Sequence, residues 1–259
     1  MTRLTLITGA SSGIGYDMAK VCAAQGHDLI VVARREDRLT ALKQELEQAH
    51  GVTVWAYAAD LTQAQARQDL FVWTQTLGQP LYALVNNAGF GLLQPFAETD
   101  WEQQNAMLQL NIVALTHLTH QYLPGLIAQG QGRILNVAST AAFLPGPYMA
   151  LYYASKAFVQ SFTEAIASEL EGTGVTATTL CPGPTESEFQ YVAGMGQLEF
   201  FSGKLPTSAE VATFGYRAME KGDRTAVYGW VNNLLVFATR LQSDKALATM
   251  MKGFQQPKG

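Results

Sequence analysis

Short apolar runs that alternate with amphipathic helical patterns constrain the fold of this 259-residue chain more than any other feature. Apolar, β-branched runs with few charges are typical of strands that are buried on both faces of a sheet. Six such runs occur at 4–8, 28–33, 52–58, 81–85, 133–137 and 175–180, with a seventh at 225–228. Helical patterns lie at 14–25, 36–49, 63–77, 101–126, 152–170, 208–221 and 231–251. This order predicts an α/β fold, a doubly wound parallel β-sheet of about seven strands flanked by helices.

The whole chain, 1–259, is predicted to form a single domain, because it carries no internal repeat, linker or low-complexity stretch and its length suits one α/β domain. Two segments stand apart within it. The stretch from about 186 to 206 loses periodicity and is rich in Phe, Tyr, Gly and Met, which predicts a substrate loop that closes over a site. The tail from about 231 to 259 is predicted to be helical and amphipathic.

A glycine-rich turn joins the first strand to the first helix. Glycine permits a tight turn, and a helix N-terminus offers free N–H groups and a positive dipole end to a pyrophosphate. The turn therefore predicts a nucleotide-binding Rossmann fold, the alternative being a turn that only packs the helix on the strand. Its pattern is Gly-x-x-x-Gly-x-Gly, and the candidate cofactor-binding residues are Gly9, Ser11, Ser12, Gly13, Ile14 and Gly15.

Basic residues stand where the second strand ends. In many dinucleotide-binding folds an acidic residue at that place binds the adenosine ribose, whereas this chain has Arg34 and Arg35, with Arg38 one turn further on. Arginine suits a 2′-phosphate by its charge and by its bidentate geometry. The three arginines therefore favour NADP(H) as the cofactor, with NAD(H) possible. The alternative is that they open the next helix and face water.

Other small or polar residues also follow predicted strands. Because ligands of doubly wound sheets bind beyond the carboxyl ends of the strands, these residues are expected to line one edge of the sheet. Asp60 follows the third strand, where its carboxylate caps the next helix or accepts a hydrogen bond from an adenine amino group, and the two uses are compatible. The further cofactor-binding candidates are Leu61, Asn87, Ala88, Gly89, Pro182, Gly183, Thr185 and Ser187.

The fifth strand delivers Ser139 to the same edge, and the helix that follows carries Tyr152 and Lys156. A tyrosine and a lysine four residues apart share one helix face. A free tyrosine ionises near ~10, but a neighbouring ammonium favours the phenolate and lowers that pKa. With a serine hydroxyl beside a substrate oxygen, the three residues suit proton transfer to or from a carbonyl or alcohol. The alternative is an ordinary surface helix.

Composition argues against several other classes of protein. The chain has 17 basic and 21 acidic side chains and no basic run, so nucleic acid is not an expected partner. The two cysteines and four histidines show no metal-ligand spacing, so no metal site is predicted. The N-terminus does not resemble a secretory signal and no apolar segment reaches the ~20 residues of a membrane span, so a cytoplasmic location is expected. Low charge, 15% of residues, suggests a large interior and buried subunit interfaces.

Taken in order, these motifs resemble the short-chain dehydrogenase/reductase (SDR) family, in its compact single-domain form and NADP(H)-preferring branch. The resemblance runs from Thr8 to Tyr228. It rests on the glycine-rich turn, the Asn86-Asn87-Ala88-Gly89 turn, Asn111, Ser139, Tyr152-x-x-x-Lys156 and Pro182-Gly183.

The resemblance implies a role for each matching residue. Tyr152 would be the catalytic acid/base, and Ser139 would hold and polarise the substrate oxygen. Lys156 would bind the nicotinamide ribose and lower the pKa of Tyr152. Asn111 would hold a water in a proton relay, although a satisfied structural asparagine is the alternative for a polar residue inside a helix. Residues 182–185 would contact the carboxamide side of the nicotinamide, and Ser187 would keep the hydroxyl of the threonine found there in the family.

The implied function is an NADP(H)-dependent oxidoreductase that interconverts a carbonyl and a secondary alcohol by hydride transfer. The alternative is a non-enzymatic NADP(H)-binding sensor or scaffold. The family usually forms homodimers or homotetramers, and the few basic residues of the tail make contact with a membrane surface less expected. An apolar carbonyl or alcohol substrate is favoured by the residues expected near the pocket, which are Phe90, Ala141, Phe143, Tyr148, Phe189 and the Phe200–Phe201 pair.

Overall fold

A computed structural model describes residues 3–194 and 205–255 of the chain. The strands in this part are β1 (Leu4–Thr8), β2 (Asp28–Ala33), β3 (Val54–Ala58), β4 (Leu81–Asn86), β5 (Gly132–Val137), β6 (Val175–Cys181) and β7 (Thr225–Val227). They form one parallel sheet in the order β3-β2-β1-β4-β5-β6-β7. The strand order reverses between β1 and β4, as in a doubly wound sheet, and the predicted fold class is confirmed.

Helices cover both faces of this sheet. They are α1 (Gly13–Ala24), α2 (Glu36–His50), α3 (Ala64–Thr76), α4 (Trp101–Leu108), α5 (Leu115–Gln129), α6 (Ala150–Glu169), α7 (Phe189–Val192), α8 (Ser208–Lys221), α9 (Trp230–Thr239) and α10 (Asp244–Gln255). Helices α1, α2 and α8 contribute to the core on one face of the sheet, while α3, α5 and α6 contribute to the core on the other. The two layers explain why the strands are apolar runs and not alternating patterns.

Strand β1 shows this packing residue by residue. All five of its residues are buried. Ile7 belongs to the core cluster beneath α1, α2 and α8, and Leu6 belongs to the cluster beneath α3, α5 and α6. Successive side chains of a strand point to opposite faces, so a strand covered on both sides needs apolar residues at every position.

A buried polar network fixes the two helices nearest the carboxyl ends of β4 and β5. Asn86 and Asn136 are register partners on these strands. The Asn86 amide donates to Asn136 Oδ1 at 2.9 Å and to Thr119 Oγ1 of α5 at 3.1 Å. The Asn136 amide donates to Thr163 Oγ1 of α6 at 2.9 Å. Buried polar groups are costly unless they are hydrogen-bonded, so this network favours one placement of α5 and α6 on the sheet.

Two helical predictions need correction. The pattern at 101–126 continues to Gln129 and is interrupted by a π-helical segment, Gln109–Ala114, between α4 and α5. A π-helical turn holds one extra residue per hydrogen-bonded turn, which a 3.6-residue periodicity does not reveal. The tail pattern at 231–251 is two helices, α9 and α10, separated by residues 240–243.

The stretch from 186 to 206 lies partly outside the described residues. Within it, α7 is a short helix, and Glu186 pairs with Thr207 in an isolated parallel bridge. The predicted pocket pair Phe200–Phe201 is not among the described residues. In the part of the chain that is described, no helix has the length and apolar character needed to cross a bilayer. The same part holds no group of three His, Cys, Asp or Glu side chains arranged for a metal ion.

Candidate active site

A cavity of about 920 Å³ opens at the carboxyl ends of the strands. Its walls come from the connections that follow β1 to β6 and from α9 and α10. Nearly all the predicted site residues line it. They are Gly9, Ser11, Ser12, Gly13, Ile14, Arg34, Arg35, Asp60, Leu61, Asn87, Ala88, Gly89, Ser139, Tyr152, Lys156, Pro182, Gly183, Thr185 and Ser187. The predicted residues Gly15, Arg38 and Asn111 are not part of its lining, and each has a different place described below.

The glycine-rich turn serves packing and ligand access at once. Gly9 and Gly13 have φ angles of +70° and +55°, which glycine adopts at little cost. A Cβ on Gly9 would lie 2.8 Å from Asn87 Nδ2, and one on Gly15 would lie 2.4 Å from the same atom. Gly15 therefore lets α1 approach the turn after β4. Asn87 completes this contact by donating to the carbonyl of Thr8 at 3.0 Å.

The N-terminus of α1 is available to an anion. Ser12 is its N-cap residue, and the side chain of Ser12 makes no capping hydrogen bond. The hydroxyl of Ser12 instead accepts from Arg35 Nη2 at 2.8 Å. The first-turn N–H groups of a helix have no intrahelical partners, so this end can accept a pyrophosphate. The residues of the turn fit the pyrophosphate of a dinucleotide.

Arg35, and not Arg34, is tied to the glycine-rich turn. Its Nη2 and Nε donate to Ser11 Oγ at 3.1 and 3.2 Å. Arg34 is exposed and lines the cavity at the end of β2. Arg35 and Arg38 both form ion pairs with Glu188, a residue that sequence reasoning missed. The partner lies 153 positions along the chain from Arg35, so no local pattern indicated it.

The expectation that Asp60 caps the next helix is wrong, because Gln63 is the N-cap residue of α3 and Asp60 instead closes a local turn with Thr62. Its Oδ1 accepts from the amide of Thr62 at 3.0 Å and from the Thr62 hydroxyl at 2.9 Å. Both bonds use the same oxygen, and Asp60 also lines the cavity. Its second oxygen, Oδ2, can therefore accept a hydrogen bond from an adenine amino group, which is the other use expected for Asp60.

The side chain of Ser139 lies near that of Tyr152 and acts to lower the pKa of the tyrosine, while the Ser139 hydroxyl donates to the carbonyl of Pro182 at 3.3 Å. Ser139 follows β5 in an extended conformation, and its Oγ also accepts from the amide of Ala141 at 3.1 Å. Tyr152 lies near the start of α6, with its ring centre 5.4 Å from that of Phe189 and 6.0 Å from that of Tyr153. The pair presents two hydroxyl groups side by side on the cavity wall.

Lys156 lies one helical turn after Tyr152 and is buried with it. Its Nζ donates to the carbonyl of Val137 at 2.8 Å and lies 5.8 Å from the ring centre of Tyr152. Burial lowers the pKa of Lys156 to about 8. Burial raises the pKa of Tyr152 above that of a free tyrosine, although the side chain of Ser139 opposes the rise. The expectation that the pKa of Tyr152 lies below that of a free tyrosine is therefore not met, because desolvation raises it.

Asn111 sits in the π-helical segment, and its side chain is fully engaged. Its Oδ1 accepts from the amide of Phe90 at 3.1 Å, and its Nδ2 donates to the carbonyl of Phe90 at 2.9 Å and to Ser155 Oγ at 3.1 Å. A Cβ on Gly89 would lie 3.0 Å from Asn111 Oδ1 and 3.5 Å from Lys156 Nζ. The asparagine thus ties the turn after β4 to α6 beside Lys156, and its role with a water stays a prediction.

The pocket wall beyond Tyr152 comes mainly from residues that the sequence did not single out. Phe90, Ala141 and Phe189 line the cavity as predicted. Phe143 packs instead in the cluster of α6, β6 and α9, and the carbonyl of Tyr148 accepts from the amide of Gln94. The missed lining residues are Leu144, Tyr153, Leu235, Leu247, Met250, Met251, Phe254 and Gln255.

The two tail helices carry most of these missed residues. On α10, Leu247, Met251 and Gln255 are buried and recur at every fourth position, a spacing that marks one helix face. That spacing was the signal that could have identified them. Helix α9 packs against the predicted nicotinamide turn, since a Cβ on Gly183 would lie 2.6 Å from Asn232 Nδ2. The tail is thus part of the site.

Known proteins similar to this chain agree with this geometry. A family model described as short chain dehydrogenase matches residues 3–194. Sulfoacetaldehyde reductase 2 of Chromohalobacter salexigens is 41% identical over 194 residues, 74% of this chain and 76% of that protein. The 7beta-hydroxysteroid dehydrogenase of Collinsella aerofaciens is 34% identical over 181 residues, 70% of this chain and 68% of that protein. A short-chain dehydrogenase from Sphingobium yanoikuyae, solved in complex with NADPH, has a TM-score of 0.83 at 28% identity and covers 99% of this chain and 98% of its own.

The fold and the site define a dehydrogenase or reductase built on a Rossmann sheet. The chain belongs to the short-chain dehydrogenase/reductase family. It is an oxidoreductase that interconverts carbonyl and alcohol groups with NADP(H), which confirms the predicted family, activity and cofactor. The enzyme interpretation is favoured over the sensor or scaffold.

Proposed function

We propose that Tyr152 is the acid/base of this reaction and that Ser139 holds the substrate oxygen. The observation that carries the proposal is that Ser139 and Tyr152 both line the wall of the cavity that also contains the glycine-rich turn. NADPH held by the glycine-rich turn would supply the hydride for the carbonyl carbon. Tyr152 gives its proton to the carbonyl oxygen, and Ser139 donates a hydrogen bond to the same oxygen, so a secondary alcohol leaves.

The residues that would hold NADP(H) follow the order of the sheet edge. The N-terminus of α1 would take the pyrophosphate, and Arg34 and Arg35 would take the 2′-phosphate. The carboxylate of Asp60 accepts from the adenine amino group. The turn at 182–185 lies next to α9, where the carboxamide side of the nicotinamide would lie, and Ser187 lies against Gly13 of the glycine-rich turn.

Lys156 and Asn111 serve proton transfer through their positions. Below about pH 8 Lys156 is protonated, and its ammonium favours the negative charge left on Tyr152 after proton donation. The side-chain amide of Asn111 is occupied by Phe90 and Ser155, so a relay water would contact its main chain more readily than its side chain. π-Helical segments are frequent at functional sites, which fits this role for residues 109–114.

The substrate that fits best is a bulky, largely apolar ketone or its alcohol. Leu247, Met250, Met251 and Phe254 give the tail side of the cavity an apolar surface. Among the described lining residues, the cationic side chains are Arg34, Arg35 and Lys156, all on the cofactor side. A small sulfonated aldehyde, the substrate in the name of one relative, needs a cation on the substrate side. The apolar wall agrees better with a bulky molecule, such as the hydroxysteroid in the name of another relative.

Two segments would close this pocket. The described part of the 186–206 stretch places Phe189 against Tyr152, which supports its assignment as a substrate loop. The tail helices from 231 onward form the wall opposite, within the same single domain.

An assembly of identical subunits is part of the proposal. Helix α9 exposes Trp230, Leu234 and Phe237, and Leu241 is exposed just after it, with exposed fractions of 59% to 78%. Large exposed apolar patches mark interaction sites, and a second copy of the chain would cover this one in a homodimer or homotetramer in the cytoplasm. Light scattering of the Leu234→Glu/Leu241→Glu variant should show a smaller species than the native protein. An unchanged mass would contradict this interface.

A substrate screen tests the proposed function directly. The dialysed enzyme is mixed with NADPH or NADH and a panel of cyclic, aromatic and short-chain carbonyls, and loss of the reduced nicotinamide is followed by absorbance. The expected result is turnover of bulky apolar ketones, faster with NADPH than with NADH. Binding of NADPH without turnover of any carbonyl would favour the sensor. A preference for small charged aldehydes would contradict the substrate class.

A further inference from the structure

Glu188 bridges Arg35, which the proposed function assigns to the 2′-phosphate, and Arg38, which lies in the first turn of α2. Its Oε2 lies 2.8 Å from Arg35 Nη1, and its Oε1 lies 2.5 Å from Arg38 Nη1. The other nitrogens of the Arg35 guanidinium face Ser11 and Ser12 in the glycine-rich turn. One carboxylate thus completes a ring of hydrogen bonds around Arg35, at the end of β2 and on the wall of the cavity.

This carboxylate stands where an anion of the cofactor would bind. We propose that Glu188 is a specificity-determining residue whose carboxylate holds the site of the 2′-phosphate, so that NADP(H) binds by displacing it. The inference rests on the proposed function in taking NADP(H) as the ligand. Glu188 is then a competing anion within the chain. The affinity for NADP(H) depends on how much more strongly Arg35 and Arg38 bind the 2′-phosphate than they bind the carboxylate of Glu188.

Charge explains why the two anions exclude each other. The guanidinium groups of Arg38 and Arg35 hold the pKa of Glu188 below its ordinary range, so the carboxylate is ionised at neutral pH. A phosphate on the same nitrogen atoms would lie within a few ångströms of this second negative charge, and like charges at that distance repel. Because both ion pairs are partly exposed, each is weak enough to be exchanged for a phosphate.

Replacement of the Glu188 carboxylate by a 2′-phosphate would also affect the substrate side of the cavity. Phe189, the residue after Glu188, packs on the ring of Tyr152. Ser187, the residue before it, has its Cβ 3.3 Å from where a Cβ on Gly13 would lie. Release of Glu188 by a 2′-phosphate therefore frees the start of α7 from the cofactor arginines, whereas NAD(H) leaves the Glu188 bridge in place.

Binding measurements on Glu188→Gln test the proposal without turnover. Isothermal titration calorimetry compares the native protein, Glu188→Gln and Glu188→Ala with NADPH, NADH, adenosine 2′,5′-bisphosphate and adenosine 5′-monophosphate. Glu186→Gln is the matched control, because Glu186 lies in the same segment, is exposed, and contacts Pro206 through its main chain. Both Glu188 variants should bind NADPH and the bisphosphate about three- to tenfold more tightly, the range expected from two exposed ion pairs.

The two ligands without a 2′-phosphate give the decisive comparison. Their dissociation constants should change by less than about twofold in every variant, and Glu186→Gln should bind all four ligands like the native protein. Unchanged or weaker NADPH binding in the Glu188 variants would overturn the inference, since Glu188 would then be neutral or would orient the arginines for the phosphate. A native protein that binds neither NADPH nor NADH would refute the proposed function itself, and with it the inference.

Discussion

The ammonium of Lys156 donates to the main-chain carbonyl of Val137 at 2.8 Å, so the lysine is anchored to the last residue of β5. This bond holds Nζ beneath Gly89 and one helical turn from Tyr152. Burial dominates the electrostatics of the pair, lowering the pKa of the lysine and raising that of the tyrosine. The site thus holds a protonated Tyr152 at neutral pH, the form that reduction of a carbonyl requires.

Replacing Tyr152 by phenylalanine should abolish the reaction while the cofactor still binds. The variant removes the ionisable hydroxyl and keeps the ring, so kcat should fall by about two to four orders of magnitude, the usual contribution of a general acid. Activity is measured on a ketone found in the screen, and NADPH binding by calorimetry. Tyr57→Phe is the matched control, since Tyr57 packs on Trp73 and does not line the cavity. Near-native activity of Tyr152→Phe would refute its role.

The pH profile of the reduction should report Lys156. Its pKa of about 8 means that the free enzyme loses the ammonium as pH rises through that value, while Tyr152 keeps its proton. The value of kcat/KM for NADPH should be level near neutral pH and fall about tenfold per pH unit well above 8. Arginine stays charged at these pH values. Lys156→Arg should therefore be slower but lack this fall, and the same fall in the variant would assign it to another group.

Local patterns were sufficient to predict the sheet and many of the residues that line the cavity. Strands such as β1 are short and apolar because both faces are covered, and the residues that follow them meet at one edge by the geometry of parallel strands. The prediction missed features that depend on contacts between distant parts of the chain. Glu188 meets Arg35 across 153 positions, and the side chain of Asn111 is occupied by the backbone of Phe90. Desolvation of Tyr152 likewise depends on the packed structure.

The tail shows a second limit of prediction from sequence. Its apolar residues fall on several sides of the helices, and some are exposed while others line the cavity. Leu247 and Met251 are buried in the site, whereas Leu241 is 76% exposed. An apolar pattern alone does not distinguish a core, a pocket wall and a subunit interface, because all three bury apolar surface.

The stability of the protein should depend on the protonation of His27. This side chain is fully buried, with Nδ1 2.8 Å from Thr5 Oγ1 and Nε2 3.2 Å from the hydroxyl of Tyr216. Burial lowers its pKa from 6.5, and the unfolded chain therefore binds the proton more readily than the folded one. Its contribution to stability is fully present above pH 6.5 and is lost as pH falls toward the lowered pKa.

Chemical denaturation at several pH values tests this dependence. The native protein should show a free energy of unfolding that decreases between pH 7 and pH 5. His27→Gln keeps donor and acceptor groups but cannot ionise, so its stability should decrease less over the same interval even if it is lower at pH 7. Equal slopes for the two proteins would show that other groups account for the acid sensitivity.

Paired substitutions at Gln255 and Tyr153 should separate the polar and apolar parts of the pocket wall. Gln255 is buried, its Nε2 donates to the hydroxyl of Tyr153, and both residues line the cavity. Gln255→Leu removes this hydrogen bond from the partly buried hydroxyl of Tyr153, a loss that costs about 1 kcal/mol, so Tm should fall. The double variant Gln255→Leu/Tyr153→Phe removes both groups and should recover most of the lost stability.

The same double variant should change substrate choice, because its wall beyond Tyr152 is apolar where the native wall offers an amide and a hydroxyl. A decalone, a bicyclic hydrocarbon ketone, should keep or gain kcat/KM. Its hydroxy derivative should lose about fivefold or more, since the distal hydroxyl would then be buried without a hydrogen bond. NADPH affinity serves as the internal control and should not change. If the ratio of kcat/KM for the two ketones is the same in native and double-variant enzyme, Gln255 and Tyr153 do not contact the substrate, and the polar part of the wall lies elsewhere.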